Sequence, residues 1–388
     1  MMGAGVLADP FPLSPEYVPE SLVGRDRELG YMRGIFLPPA LDGRGSPLAL
    51  VIGHRGSGKT ALLKLFKRLV EAEGAERGRP IKCAYVSCWG AGGRLFRILE
   101  RALRALGAAG NLRGRSSAEL FGFIEGISSR GIFPILLLDD AEAILWAEGA
   151  DPIYALSRAA EGAGVRGLGL VLSFGGWDRL AGIDGSALSA LRRGAIELRG
   201  YSRAELREIL AQRASMALRE GAIEGEALDL IADASSGWGD AGFAIRSLGI
   251  AAEIAEREGA ASVAARHAER AVEEASSSPD PQLLGELSEH ERLFLAAIGM
   301  ALGRRGSGEV PMGEAESEYR VLCERFGIAP RRHTQLWKYA RRLSIVGLLS
   351  LRPSGAGFKG RTTLIGLRGL RWDKVINYPR CDGDRRGT

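Results

Sequence analysis

The sequence predicts an α/β protein in three parts. Residues 1–200 read as a five-stranded parallel sheet covered by helices, 201–278 as an all-helical segment, and 279–388 as helices closed by a β-hairpin. Three observations predict this. Short apolar runs near 47–52, 81–87, 132–139, 167–173 and 195–199 alternate with amphipathic stretches, the pattern of a parallel sheet buried on both faces. From Tyr201 to about Ala275 the apolar spacing is helical throughout. Beyond that, basic residues gather over a helix-turn-helix pattern.

Taken in order, residues 1–20 are Pro-rich and expected to be extended, and a helix is expected to begin near Arg25. After the strand and helix alternation come helices at Ala204–Arg219, Glu226–Ala234 and Ala241–Glu258. Ser276-Ser-Ser-Pro-Asp-Pro281 reads as a linker. Three helical stretches follow, at 287–303, at Glu314–Phe326 and from Pro330, then a hairpin at 348–367.

A chain of 388 residues exceeds one ordinary domain. No segment approaches the roughly 18 consecutive apolar residues of a membrane span, and no charged start leads into an apolar run, so a cytoplasmic location is expected. Cys83, Cys88, Cys323 and Cys381 show neither a disulfide framework nor zinc-ligand spacing. The net charge of +5 is segregated: residues 281–388 hold 19 Lys/Arg against 11 Asp/Glu. From Arg325 to Arg361 there are nine basic residues and no acid. Such segregation predicts a domain that meets a polyanion.

The strand Leu48–Ile52 runs into Gly53-His-Arg-Gly-Ser-Gly-Lys-Thr60 and then a good helix. That is a complete phosphate-binding loop in its strand–loop–helix setting. Gly53, Gly56, Ser57 and Gly58, with the first-turn residues Ala61 and Leu62, would present backbone N–H groups to a nucleotide. Lys59 would reach the β- and γ-phosphates, and the Thr60 hydroxyl would ligate Mg²⁺. The buried strand Pro134-Ile-Leu-Leu-Leu-Asp139-Asp140 supplies the second motif, 80 residues beyond Lys59. Asp139 takes the metal role and Asp140 the water-positioning role. ATP or ADP with Mg²⁺ is the expected cofactor.

Here the chain resembles the archaeal replication-initiator family related to origin recognition complex and cell-division-control subunits. The signatures are Val23-Gly-Arg-Asp-Arg-Glu28, Tyr85-Val-Ser-Cys88, Tyr201-Ser-Arg-Ala-Glu-Leu-Arg-Glu-Ile-Leu210 with Arg213, Gly239-Asp-Ala241, Leu287-Ser-Glu-His-Glu291 and Tyr319-Arg-Val-Leu-Cys323. The resemblance implies an AAA+ P-loop core, an α-helical lid and a C-terminal winged-helix domain. It implies that Tyr201 and Arg213 line the nucleotide pocket, and that an insertion at Asn111–Leu120 brings Arg113 and Arg115 to DNA. Double-stranded origin DNA is the implied ligand, with a paralogous initiator subunit or a replicative helicase as protein partner and the nucleoid as location.

Several family accessories are altered. Leu172-Ser-Phe-Gly-Gly176 puts Ser173 or Phe174 where a polar sensor Asn is usual. Asp184-Gly-Ser-Ala-Leu-Ser189 lacks the arginine offered to a neighbouring site, and Gly242 replaces the lid's sensor arginine unless Arg246 substitutes. Nucleotide binding with slow hydrolysis is therefore expected.

In the terminal domain, Arg331, Arg332, His333, Thr334 and Gln335 open the helix expected to face a major groove. Leu336, Tyr339 (or Ala340) and Leu343 would form its buried face. Lys338, Arg341 and Arg342 are the expected phosphate contacts. Lys359 and Arg361 lie at the wing tip. Two rivals stay open: an initiator-derived transcription regulator, and a signalling ATPase whose winged helix binds protein.

Overall fold

In the computed structural model, which describes residues 5–108, 110–159, 167–183, 185–354 and 362–376, five parallel strands form the first sheet. They are β1 (Leu48–Ile52), β2 (Ile81–Ser87), β3 (Phe133–Asp139), β4 (Gly169–Phe174) and β5 (Ala195–Glu197). The spatial order is β2-β3-β4-β1-β5, so β4 lies between the strand that enters the phosphate loop and the strand that ends in Asp139. Every residue of β3 and β4 is buried, as expected of central parallel strands covered on both faces.

Seven helices accompany this sheet: α1 (Asp26–Asp42), α2 (Lys59–Glu76), α3 (Leu95–Ala105), α4 (Ser117–Ser128), α5 (Glu142–Glu148), α6 (Asp151–Arg158) and α7 (Gly185–Arg193). One apolar cluster joins Met32 and Phe36 of α1, Leu62 and Phe66 of α2, and Val51, Ile135 and Val171 of the strands. The lid helices are α8 (Arg203–Ala217), α9 (Gly225–Ser236) and α10 (Ala241–Glu258), followed by α11 (Ala265–Ser277). Ser202 opens α8 with a capping box closed by Glu205, which satisfies two otherwise unpaired N–H groups.

The N-terminal segment is not merely extended. Phe11–Leu13 makes a short 3-10 turn. Before it, Ala8 and Asp9 donate to Ala217 O at 2.9 and 3.1 Å, and Arg219 donates back to Val6 O at 3.0 Å. The chain thus straps the end of α8.

Tertiary contacts divide the chain between Glu269 and Arg270, inside α11. The expected linker is therefore short: α11 runs to Ser277 and α12 (Pro281–Glu286) follows. The reason is the buried alanine row Ala268, Ala271 and Ala275, which holds the helix past the polar serines.

The second unit, Arg270 onward, contains α13 (Glu289–Arg305), α14 (Met312–Arg325), α15 (His333–Ile345), α16 (Trp372–Val375) and strands β6 (Glu309–Pro311), β7 (Leu349–Pro353) and β8 (Thr363–Leu367). The strands pair antiparallel in the order β6-β8-β7. Leu336, Tyr339, Ala340 and Leu343 of α15 enter a core with Phe294, Ile298 and Tyr319, as the helical spacing predicts. The tip residues Phe358, Lys359 and Arg361 lie outside the described residues.

Arg342 corrects the sequence reading. It is not a surface cation for phosphate: it is buried, and its Nη1 donates to both carboxylate oxygens of Glu291 at 2.9 and 2.7 Å. Its Nη2 donates to Glu286 O at 3.1 Å. Glu291 also accepts from Ser288 N and Oγ at 2.8 and 2.6 Å, closing the cap of α13. A bidentate pair of this kind fastens α15 to α13. Removing one partner strands a buried charge, so Arg342→Ala should destabilise this unit by about 3–5 kcal/mol. The exposed Lys338→Ala should stay within about 0.5 kcal/mol of the parent. Equilibrium denaturation of the full chain checks both.

Candidate functional site

The phosphate loop leaves β1 at Ile52, and Gly53 N–H donates to Phe174 O at 3.2 Å. Gly56 and Gly58 adopt φ of 76° and 92°, the left-handed region that favours glycine. A Cβ on Gly58 would also stand 2.6 Å from the Tyr201 hydroxyl. The helix α2 starts at once, so the N–H groups of Lys59, Thr60 and Ala61 have no intrahelical acceptor; the first such bond is Leu62 N to Gly58 O, 2.8 Å. Lys59 Nζ sits inside the loop, donating to Gly53 O at 2.8 Å and His54 O at 3.2 Å. The Ser57 hydroxyl is buried with no partner among the described residues. Unpaired donors, a helix N-terminus and one ammonium together fit a polyphosphate.

The acidic end is equally ordered. Asp139 is buried and accepts from Thr60 Oγ1 at 2.6 Å, from Tyr85 OH at 2.8 Å and from Ser173 Oγ. Thr60 and Asp139 therefore place two hard oxygen ligands side by side, which fits Mg²⁺. Asp140 is the one described non-glycine residue with positive φ, at 52°, a backbone conformation that carries strain. Its N–H donates to Ser173 Oγ at 2.8 Å. Ser173 thus touches both acids, whereas Phe174 is wholly buried in the core. Of the two residues at the expected sensor position, Ser173 is the one hydrogen-bonded to the acids.

Two neighbours were not foreseen from sequence. Glu142 accepts from Gly175 N–H at 3.2 Å through Oε1, while its Oε2 is buried with no partner among the described residues. Burial raises its pKa, and the Lys59 charge opposes that rise. Its signal was visible as the next acid in the Asp139-Asp140 run. Arg25 lies inside the Val23–Glu28 signature, but nothing local marked its role. It is fully buried, donates to Ser57 O at 3.2 and 2.8 Å and to Arg199 O at 2.6 Å, and lies 4.1 Å over the Tyr201 ring.

The lid meets this loop directly. Ala241 N–H donates to Gly56 O at 3.1 Å, and Tyr201 N–H to Gly239 O at 3.1 Å. Asp240 caps α10 through Phe243 N at 2.9 Å. Gly242 follows in that first turn, and the Arg246 guanidinium lies 5.7 Å from the Phe243 ring centre. Tyr201 is brought to the loop as expected. Arg213 is buried, donates to Pro12 O at 3.1 Å and covers the Tyr17 ring at 4.5 Å. Burial lowers its pKa. It ties the N-terminal strap to α8.

The expected nucleic-acid residues divide. In the insertion, Arg115 pairs with Glu119 at 2.9 Å and lies over Phe123, while Arg113 is exposed. On α15, Arg332, Thr334 and Lys338 are exposed and Gln335 is half-buried. His333 bonds Glu316 at 2.7 Å, and Arg331 donates through Nε to His290 Nε2 at 3.0 Å.

Three family models match: an AAA ATPase domain over residues 21–194, a Cdc6 AAA+ ATPase-type lid domain over 207–273, and a CDC6 C-terminal winged helix domain over 282–374. A Saccharolobus solfataricus protein named ORC1-type DNA replication protein 2 is 32% identical over 382 residues, covering 94% of this chain and 91% of the relative. The Aeropyrum pernix ORC1 protein, solved in complex with DNA, matches at a TM-score of 0.76 with 26% identity over 98% of both chains. The Aeropyrum pernix ORC2 protein, solved as ADPNP-ADP complexes, matches at 0.67 with 27% identity over 97% of both chains. With its AAA+ core, lid and winged helix in that order, the chain belongs to the archaeal ORC1/Cdc6-type DNA replication initiator family.

Proposed function

We propose that this protein is a replication initiator that binds double-stranded origin DNA and uses ATP with Mg²⁺ as a conformational switch. The observation that carries the switch is the hydrogen bond from Ala241 N–H to Gly56 O. A lid helix whose first N–H is bonded to a phosphate-loop carbonyl feels any phosphate the loop binds, because the loop's N–H groups and that carbonyl belong to one short backbone and shift together. Bound Mg²⁺ would neutralise phosphate charge beside Thr60 and Asp139. Lys59 would turn from its loop carbonyls to the phosphates, and Asp140 would orient water. Arg25 would hold Ser57 and Tyr201 in place as the lid moves.

DNA is assigned to the α15 face of the second unit, with Arg332, Lys338 and Arg341 as exposed phosphate contacts and Arg331, Thr334 and Gln335 toward base edges. Arg113 is the candidate contact of the insertion. The relatives named as replication proteins, and the Aeropyrum pernix ORC1 structure with DNA, support this reading. A paralogous subunit or the replicative helicase is the proposed protein partner, at the nucleoid. No helix among the described residues is long and apolar enough to cross a membrane.

Lys59→Ala should weaken ATP and ADP binding at least about 10²-fold, since it removes the one ammonium in the loop. Fluorescent-nucleotide titration reads this directly. Turnover of the parent should lie roughly 10³-fold or more below that of an arginine-assisted NTPase, with Gly242 at the sensor position. A rate near one per second would refute the switch reading.

Duplex binding should fall with salt, the logarithmic slope approaching about −0.9 per phosphate contacted. Arg332→Ala/Lys338→Ala/Arg341→Ala should lower that slope by about 2–3 and weaken binding evenly across sequences. A flat salt response in the parent would assign the winged helix to a protein partner instead.

A further inference from the structure

Arg331, the first residue expected to read bases, is not a free surface arginine. Its Nε donates to His290 Nε2 at 3.0 Å, reaching the first turn of α13. Arginine has donors only, so His290 accepts at Nε2 and carries its proton on Nδ1. That proton faces the Tyr319 hydroxyl on α14 at 2.7 Å. The same hydroxyl accepts from the Arg331 backbone N–H at 3.2 Å, and it hydrogen-bonds Cys323 one turn along. The His290 ring stacks on Tyr339 of α15 with 12° between planes. Donor and acceptor roles are thereby fixed through the whole chain of contacts, from α14 to the groove-facing turn.

The arrangement leaves Arg331 half used. Nε is spent on His290, while no acceptor among the described residues takes the N–H groups of Nη1 or Nη2. Those two nitrogens form the fork that pairs with guanine O6 and N7. A fork fixed by its Nε loses less rotamer freedom on binding than a free one.

We propose that His290 is a positioning residue for DNA recognition, holding the Arg331 fork toward a guanine edge while neutral and releasing it when protonated. The proposal rests on the reading of α15 as the DNA-facing helix. Protonation puts a hydrogen on Nε2, removes the acceptor and sets two cations against each other. The groups facing His290 are Arg331 from the turn before α15, Tyr339 on α15, Tyr319 and Cys323 on α14, and Glu289 and Glu291 on its own helix. Glu291 is already paired with Arg342. Burial and the Arg331 charge hold the His290 pKa down, and the two glutamates oppose them. His290 is therefore neutral at neutral pH and charges as the solution is acidified.

The test uses the full-length protein and a duplex enriched by the parent from a random-sequence library. Affinity is read by anisotropy at constant ionic strength for the parent, Arg331→Ala, His290→Ala and His290→Gln. Arg331→Ala should cost about tenfold and flatten the preference at one base pair. His290→Ala should cost roughly threefold or more and flatten the same position. His290→Gln, whose amide oxygen can accept from Nε, should bind like the parent at neutral pH. As the pH is lowered from about 8 to below the ordinary histidine range, as far as the protein stays folded, the parent should weaken relative to His290→Gln, because His290 is absent from the variant. His333 is present in both proteins, so it drops out of that comparison.

If Arg331→Ala is impaired while His290→Ala keeps parental affinity and preference, the positioning role is overturned and the DNA-reading helix stands. If the parent enriches no duplex, or Arg331→Ala binds as the parent does, the reading of α15 itself fails and takes His290 with it. Should His290→Ala not fold, the pH comparison with His290→Gln decides: parallel pH profiles overturn the proposal.

Discussion

One buried carboxylate organises the ATPase half of the molecule. Asp139 accepts hydroxyls from Tyr85 on β2, Ser173 on β4 and Thr60 at the start of α2. With its own strand β3, that joins three adjacent strands to the helix that follows the fourth. The strand order makes this possible, because β4 brings Ser173 between the loop and the acid. A buried carboxylate left without such donors would be costly, so the three hydroxyls satisfy Asp139 and hold it in one place. Thr60 and Asp139, the pair proposed to hold Mg²⁺, are thus brought together by the sheet and the helix that starts beside it.

What moves is set by a second buried charge. Arg25 touches the phosphate loop through Ser57 O, the end of β5 through Arg199 O, and the lid hinge through the Tyr201 ring. Its helix α1 is rooted in the apolar cluster under the sheet, through Met32 and Phe36. The strap before it runs to the far end of α8, where Arg213 holds Pro12 O and Tyr17. The N-terminal segment therefore touches both lid and core.

The parts legible in sequence were those with a short-range cause. All five strands of the core sheet fall within two residues of the apolar runs, and the phosphate loop sits where its glycines require. The buried face of α15 follows from helical period alone. Arg342 was misread because its neighbours Lys338 and Arg341 are exposed and nothing local marks it; its partner Glu291 lies 51 residues away. Arg25 escaped for the same reason, since its acceptors are carbonyls 32 and 174 residues distant. Ser173 and Phe174 could not be separated until strand pairing showed which side chain faces Asp139. Glu142 was written beside the motif, and only its burial distinguishes it from a solvated acid.

The balance between intact and altered parts argues for a switch over a motor. Everything that binds nucleotide comes from one unit and is held by that unit's own hydrogen bonds. The groups that speed phosphate cleavage must reach a charge that exists only in the transition state, and an arginine there can be worth 10³–10⁵ in rate. At the lid position nearest the loop this chain has Gly242, and one turn on Arg246 leans on Phe243. Asp140 stands in a strained backbone conformation held by Ser173. Binding that survives while cleavage lags keeps the nucleotide long enough for its occupancy to be read by the lid.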